Sequence, residues 1–357
     1  MDVLGLRFDD FVAAAGLPPS ARSALGALYR AAFRDGRFEP GTRFGARNAD
    51  LLESRFRIGL ASVEEVREEP GPWGSSVKAV LACADGARTE CVRIPSPSRA
   101  GTLCVSSQVG CAMGCTFCET GRAGLTRDLS PAEIVSQVVT ARHVLRWEFS
   151  NVVFMGMGEP LDNFDGLAGA LGVMLDPDGL QFSQERITVC TAGLPAGIRR
   201  LRGLGLRRLN LSVSLNTADD EARSRLMPLN RSAGLAELAA ALADYPVRRS
   251  FVLGVNWCLL PGINDSPADA RAAASFCAAA GRTLVNLIPY NPGTAPIAPA
   301  PTEEEIDRFA GLLEGEGVRV RRRATRGRSI MAGCGQLGGR GTPGAAAPRL
   351  PSGPRTA

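Results

Sequence analysis

At 357 residues the chain can bury an ample core without disulfide staples, and 45% hydrophobic with 22% charged residues is an ordinary globular composition. A net charge of +5 weakly favours a polyanionic partner. A single histidine, His143, argues against histidine-based acid–base or triad catalysis, and no run of residues has the apolar length of a membrane span.

Residues 1–10 carry acidic side chains where a secretory signal needs basic ones, and ten cysteines without a scaffold spacing fit a reducing compartment, the cytoplasm. Helical periodicity over 4–15, 20–33 and 48–56, with a further helix start at Ser62-Val63-Glu64-Glu65, predicts a small helical accessory domain over 1–75. The runs 76–83 and 88–94 flank Asp85-Gly86 as a β-hairpin, and a Pro/Ser-rich connector completes the segment 76–101. From residue 102, apolar strand candidates at 102–105, 151–155, 186–190, 208–214, 250–259 and 284–288 alternate with helical patterns, with 318–321 as an extra strand. Capping boxes open two of the helices. Ser130-Pro131-Ala132-Glu133 starts one predicted to run to about Trp147, and Thr302-Glu303-Glu304-Glu305 starts another ending near Gly315. Six successive βα units predict an α/β fold, a partial (β/α)6 barrel over 102–337, with ligands at the C-terminal strand ends. The Gly/Pro/Ala-rich tail 338–357 reads as disordered.

Cys111, Cys115 and Cys118 stand in SQVGCAMGCTFCETG with gaps of three and two residues. Three thiolates in one loop can hold three irons of a 4Fe–4S cluster and leave the fourth open to a small molecule. Zinc would want a fourth thiolate or a histidine at matching spacing. The pattern C-x3-C-x2-C, with Phe117 before the last cysteine, is the signature of radical S-adenosylmethionine (SAM) enzymes.

The segments TLCVSSQVGCAMGCTFCETG, VVFMGMGEPLDN, LMPLN, VNLIPYNP and RATRGRSIMAGCGQLGG follow the order found in the RlmN/Cfr family, which the chain resembles from about residue 90 to 338. Those radical-SAM methyltransferases modify an adenine carbon in 23S rRNA and, in some members, in tRNA. The resemblance implies a 4Fe–4S cluster on Cys111, Cys115 and Cys118, and SAM held near Gly158 and Glu159, Cys190, Ser214-Leu215-Asn216 and Asn291. It implies that Cys334 carries the methyl group as S-methylcysteine, and that a 5′-deoxyadenosyl radical removes hydrogen from it so that carbon adds to the ring. Cys104 then resolves the protein–RNA crosslink through a transient disulfide, and Glu90 accepts the ring proton. An electron donor such as flavodoxin or ferredoxin and a monomeric state are also implied.

Glycines around Cys334 predict an exposed, mobile loop, and Arg321, Arg322, Arg323, Arg326 and Arg328 leading into it suggest phosphate contacts. The chain departs from the family at Cys190 and Asn216, where serine and histidine are usual, at Ser329, where aspartate is usual, and at Glu119. Those departures leave carbon 2 or carbon 8 of adenine open as the target. A radical-SAM enzyme acting on a peptide or metabolite is the rival expectation; it needs neither Cys104 nor Cys334.

Overall fold

The computed structural model describes residues 1–97, 101–245 and 248–338. All of the tail from 339, and with it the expected disorder there, lies outside the described residues. Three helices come first: α1 (Phe8–Ala15), α2 (Arg22–Arg34) and α3 (Ala46–Arg55). Their apolar faces meet in an aromatic cluster in which Phe11 contacts Tyr29, Phe38 and Phe56.

Strands β1 (Ser62–Glu69), β2 (Ser76–Ala82) and β3 (Arg88–Ile94) form an antiparallel meander. The β2–β3 turn is the expected Asp85-Gly86 hairpin, with Gly86 at φ +82° and the Asp85 carboxylate accepting from the Ala87 N–H at 3.0 Å. The helix expected at Ser62 is strand β1 instead. Val63 and Val66 are three residues apart, a helical spacing, and both pack against the core. A register shift between Val63 and Glu65 adds one residue to β1, so two valines of helical spacing share one face of a strand.

The remaining chain reads β4 (Thr102–Val105), β5 (Gln108–Gly110), α4 (Glu119–Ala123), β6 (Leu125–Asp128), α5 (Pro131–His143), β7 (Asn151–Phe154) and α6 (Phe164–Leu175). After these come β8 (Ile187–Thr191), α7 (Pro195–Gly203), β9 (Asn210–Ser214), α8 (Asp220–Leu226) and α9 (Leu235–Asp244). The last elements are β10 (Leu253–Leu259), α10 (Pro267–Ala280), β11 (Thr283–Pro289), α11 (Glu303–Gly315) and β12 (Val320–Arg322). One sheet runs β1-β2-β3-β4-β7-β8-β9-β10-β11-β12, parallel from β4 onward. Residues of nearly all these strands line one cavity of roughly 700 Å³, so the sheet curves around a lumen as a partial barrel.

Both expected capping boxes are present, at Ser130/Glu133 and Thr302/Glu305. Helix α5 stops at His143, short of Trp147: Thr140 O accepts from the Val144 and Leu145 N–H groups, and Arg146 turns to φ 57°. Helices α1–α3 are tied to the barrel, since the Phe8 N–H donates to Asp176 Oδ2 at 2.7 Å and His143 Nε2 bonds Phe33 O at 2.9 Å. Among the described residues no helix is long and apolar enough to cross a membrane.

Candidate active site

The cluster loop leaves β5 and is pinned at each end by its own backbone: the Cys111 N–H donates to Gly124 O at 2.9 Å and the Cys118 N–H to Cys115 O at 3.1 Å. Cys111 and Cys115 are buried and Cys118 nearly so. Burial pushes the Cys111 thiol up to about 12 and raises those of Cys115 and Cys118; Cys118 also raises Cys111, and both raise Cys115. Among the described residues only Cys83, Asp85 and Glu133 bring three ligand-type atoms within 4.8 Å of one another, and Arg127 already bonds both carboxylates there. The sulfurs of Cys111, Cys115 and Cys118 thus do not all lie within 4.8 Å of one another.

Glu119, at the start of α4, is buried and accepts from Thr294 N–H at 2.8 Å, Thr294 Oγ1 at 2.7 Å and Arg122 at 3.1 Å. The acid that departs from the usual small residue thus bolts the cluster loop to the segment after β11.

Gly158 follows β7 at φ +93°, and a Cβ there would lie 2.5 Å from Gln108 Cβ, so only glycine fits. The next residue differs from the expectation of an open acceptor. The Glu159 carboxylate is buried and accepts from the Ala192 N–H at 2.6 Å and the Leu161 N–H at 3.0 Å. Burial raises it to about 7, partly offset by those two bonds. Asn216 is likewise engaged: at φ 61° its Oδ1 accepts from the Cys258 N–H at 2.9 Å and its Nδ2 faces Met227 Sδ. Leu215 is fully buried, and Ser214 closes β9 beside it.

Two residues that sequence reasoning passed over organise these strand ends. Arg223 on α8 is fully buried and donates to Ala192 O (2.6 Å), Ser214 O (3.3 Å), Leu215 O (3.2 Å) and Asn230 Oδ1 (2.6 Å). Burial lowers it to about 10, while the Cys115 charge pulls the other way. A buried cation thus stands beside the cluster loop and gathers the ends of β8 and β9. Gln108, next to the cysteine motif, accepts from the Glu159 N–H and donates to Asp128 and Asp162.

Cys334 stands in a loop over 327–338 whose thiol faces the lumen: it is exposed and lines the cavity with Cys190 and Asn291. Cys104 on β4 is buried, within electrostatic range of both Cys334 and Cys190, and Cys118 lies in range of Cys334. Leu337 joins Val92, Cys104 and Met157 in one apolar cluster, which ties the end of the loop to the wall that carries Cys104. Cys104 and Cys334 are separate thiols in this structure.

The loop is held far more firmly than its glycines predict. The Glu119 N–H donates to Gly335 O at 2.8 Å and Thr120 Oγ1 to Leu337 O at 2.6 Å, which joins it to the cluster loop. Glu69 on β1 accepts from the N–H groups of Gly327 and Ser329 and from the Ser329 hydroxyl. Ser329 thus serves as a donor where the family's usual aspartate could only accept. Lys78 Nζ donates to Met331 O at 3.1 Å and to Glu90 Oε1 at 3.3 Å, and the Gly338 N–H donates to Glu90 Oε2 at 3.0 Å. Both Glu90 oxygens are therefore engaged by donors of the protein.

The arginines divide. Arg328 donates to Asn291 Oδ1 (3.0 Å) and Tyr290 O (3.1 Å), Arg322 pairs with Glu303 and Asp307, and Arg326 donates to Pro95 O while stacking 4.6 Å from Trp73. Arg321 and Arg323 line the lumen, and burial lowers Arg323.

A curved parallel sheet with a three-cysteine loop after its first parallel strand defines a radical-SAM fold, and residues 105–273 match the Radical SAM superfamily. Over 290 residues the chain is 44% identical to the dual-specificity RNA methyltransferase RlmN of Syntrophotalea carbinolica, covering 81% of this chain and 76% of that one. It is also 44% identical over 264 residues to the protein of that name from Geotalea uraniireducens, covering 74% and 75%. A solved radical SAM methyltransferase from Sphaerobacter thermophilus superposes with a TM-score of 0.83 at 34% identity, over 95% of this chain and 99% of that one. The chain belongs to the RlmN/Cfr family of radical-SAM-dependent RNA methyltransferases.

Proposed function

We propose that this enzyme methylates an sp2 carbon of adenine in RNA, 23S rRNA and tRNA, with the methyl group carried on Cys334. The observation that carries the reading is the Cys334 loop itself: bonded to the cluster loop on one side, it presents its thiol to a lumen shared with Cys190, within range of Cys104 and Cys118. An sp2 carbon flanked by ring nitrogens is electron-poor and resists direct transfer of an electrophilic methyl, which is why a thiol must first hold the carbon unit.

Cys111, Cys115 and Cys118, three thiols in one loop, would hold a 4Fe–4S cluster, and the buried Arg223 cation would offset thiolate charge. When bound, the cluster supplies the electron for reductive cleavage of SAM, drawn from a flavodoxin- or ferredoxin-type donor. The strand ends gathered by Glu159 and Arg223 around Gly158, Ala192, Ser214 and Leu215, together with Cys190 and Asn291, would bind and orient SAM. Glu90 would take the ring proton once Gly338 has moved off its Oε2, and Cys104 would attack Cys334 sulfur to release the product RNA. Helices α1–α3 would act as an accessory module of a monomeric cytoplasmic enzyme.

Cys334→Ala separates this chemistry from that of a radical-SAM enzyme acting on other substrates. It should abolish RNA methylation while SAM cleavage persists, and Cys104→Ala should accumulate a covalent protein–RNA adduct. Methylation by Cys334→Ala at the wild-type rate would sink the proposal. Mass spectrometry of the nucleosides distinguishes carbon 2 from carbon 8.

A further inference from the structure

The lumen extends below Cys334 to the N-terminal ends of the strands, where Thr102, Asn151, Arg186 and Asn210 line it. At mid-height two polar atoms lack a partner in the protein although their side chains are at least nine-tenths buried: Asn256 Nδ2 and Asn286 Oδ1. Asn256 and Asn286 face each other across β10 and β11, and Asn286 Nδ2 donates to Asn256 Oδ1 at 3.0 Å. One amide N–H2 and one amide carbonyl of the pair are left over. Turning both amides together exchanges the two residues' roles and leaves the same outcome, so the pair always offers one donor and one acceptor.

Gly254 makes room for them, since a Cβ there would lie 2.7 Å from Ser212 Oγ and 3.4 Å from Asn286 Nδ2. Ser212 lies beside the Cys190 thiol, which in turn is within range of Cys334. The unpartnered amides therefore stand just below the proposed methyl carrier. Buried amides without a protein partner must be satisfied by water in the lumen or by the complementary edge of a ligand that displaces it. The entrance suits such a visitor: Arg186, Arg321 and Arg323 bring positive charge to the lumen, and Trp73 offers a ring stacked on Arg326.

We propose that Asn256 and Asn286 read the edge of the target nucleobase, which enters from the N-terminal end of the barrel. The exocyclic amine of adenine donates to the free amide carbonyl, and the adjacent ring nitrogen accepts from the free amide N–H2. Guanine and the pyrimidine uracil, which present a carbonyl where adenine has its amine, leave two acceptors facing each other. This inference rests on the proposed RNA adenine reaction and adds the group that discriminates adenine from guanine and uracil; cytosine, with the same amine and ring-nitrogen edge, is not rejected by this pair.

The test uses reconstituted holoenzyme with an RNA that it methylates, synthesised with either adenosine or purine riboside, which lacks the amine, at the target position. Wild-type kcat/KM should fall about tenfold or more on losing the amine. Asn286→Leu and Asn256→Leu should lower kcat/KM on adenosine RNA by a comparable factor of about ten. They should lose the preference for adenosine over purine riboside, while methylation of Cys334 by SAM, read by intact mass, proceeds as in wild type. Wild-type enzyme that treats the two RNAs alike overturns the inference whether or not the variants fold. So does a variant that keeps the wild-type preference, or one that loses Cys334 methylation as well, since the pair would then serve SAM. In those cases RNA methylation by the wild type leaves the proposed reaction standing; a wild type that methylates no RNA brings down both.

Discussion

Replacing Lys78 by methionine tests how the lumen wall and the Cys334 loop are joined. Lys78 and Glu90 form an ion pair whose side chains are 3% and 10% exposed, and Lys78 also donates to Met331 O. Removing one partner of a pair this buried leaves the other charge without compensation and costs about 3–5 kcal/mol. Glu90→Gln should cost a similar amount, because it strands the ammonium. In the double variant neither charge remains, and its cost should fall short of the sum by roughly 2 kcal/mol or more. Urea unfolding of the reconstituted enzyme under anaerobic conditions, followed by far-UV circular dichroism, measures all four corners of the cycle. If the two single costs add to within about 0.5 kcal/mol, the pair carries no coupling and the loop is held by its other contacts.

Two further outcomes follow from the buried charges. Arg223→Met strands the carbonyls of Ala192, Ser214 and Leu215, so it should cost upward of about 3 kcal/mol and lower the iron bound on reconstitution; wild-type iron content would show the cation to be irrelevant to the cluster loop. Burial raises Glu159 from 4.5 to about 7, so the folded state binds this proton more tightly than the unfolded chain does. Its contribution to stability is complete below pH 4.5 and is lost as the pH climbs to about 7. Glu159→Gln should therefore lose less stability than wild type between those values, and parallel pH profiles of the two proteins would refute the assignment.

The sequence made the parallel strands legible because each is a short β-branched or apolar run between turn signals, and the structure places them within a few residues of expectation. It misled at Ser62, where a bulge let two valines of helical spacing share one strand face. The cluster loop was readable because its three cysteines are contiguous. What escaped were partners joined only by folding: Lys78 meets Met331 across 253 positions, Glu69 meets Ser329 across 260, and Arg223 collects carbonyls from two other strand ends. Single-sequence patterns carry no trace of such pairings. Asn256 and Asn286 were hidden for a related reason, since an asparagine in an apolar strand says nothing of the lumen it faces until the sheet has curved.

The arrangement also explains why a loop flanked by glycines is tied down so thoroughly. In the proposed reaction the Cys334 thiol accepts a carbon unit from one ligand and presents it to another, which requires it to sit on the boundary between them. Bonds from Glu119 and Thr120 set the height of the loop against the cluster side, while Glu69, Lys78 and Glu90 fix it against the β1–β3 meander. Between those anchors Ala332, Gly333 and Cys334 line the lumen, and Cys334 is the one that brings a thiol to it. Of the anchors, the one from Gly338 bonds Oε2 of Glu90, the carboxylate proposed as the base. In the proposed reaction Cys334 and Cys104 must come together, so the loop that carries Cys334 and the strand β4 that carries Cys104 have to approach each other without breaking the bonds to the cluster loop.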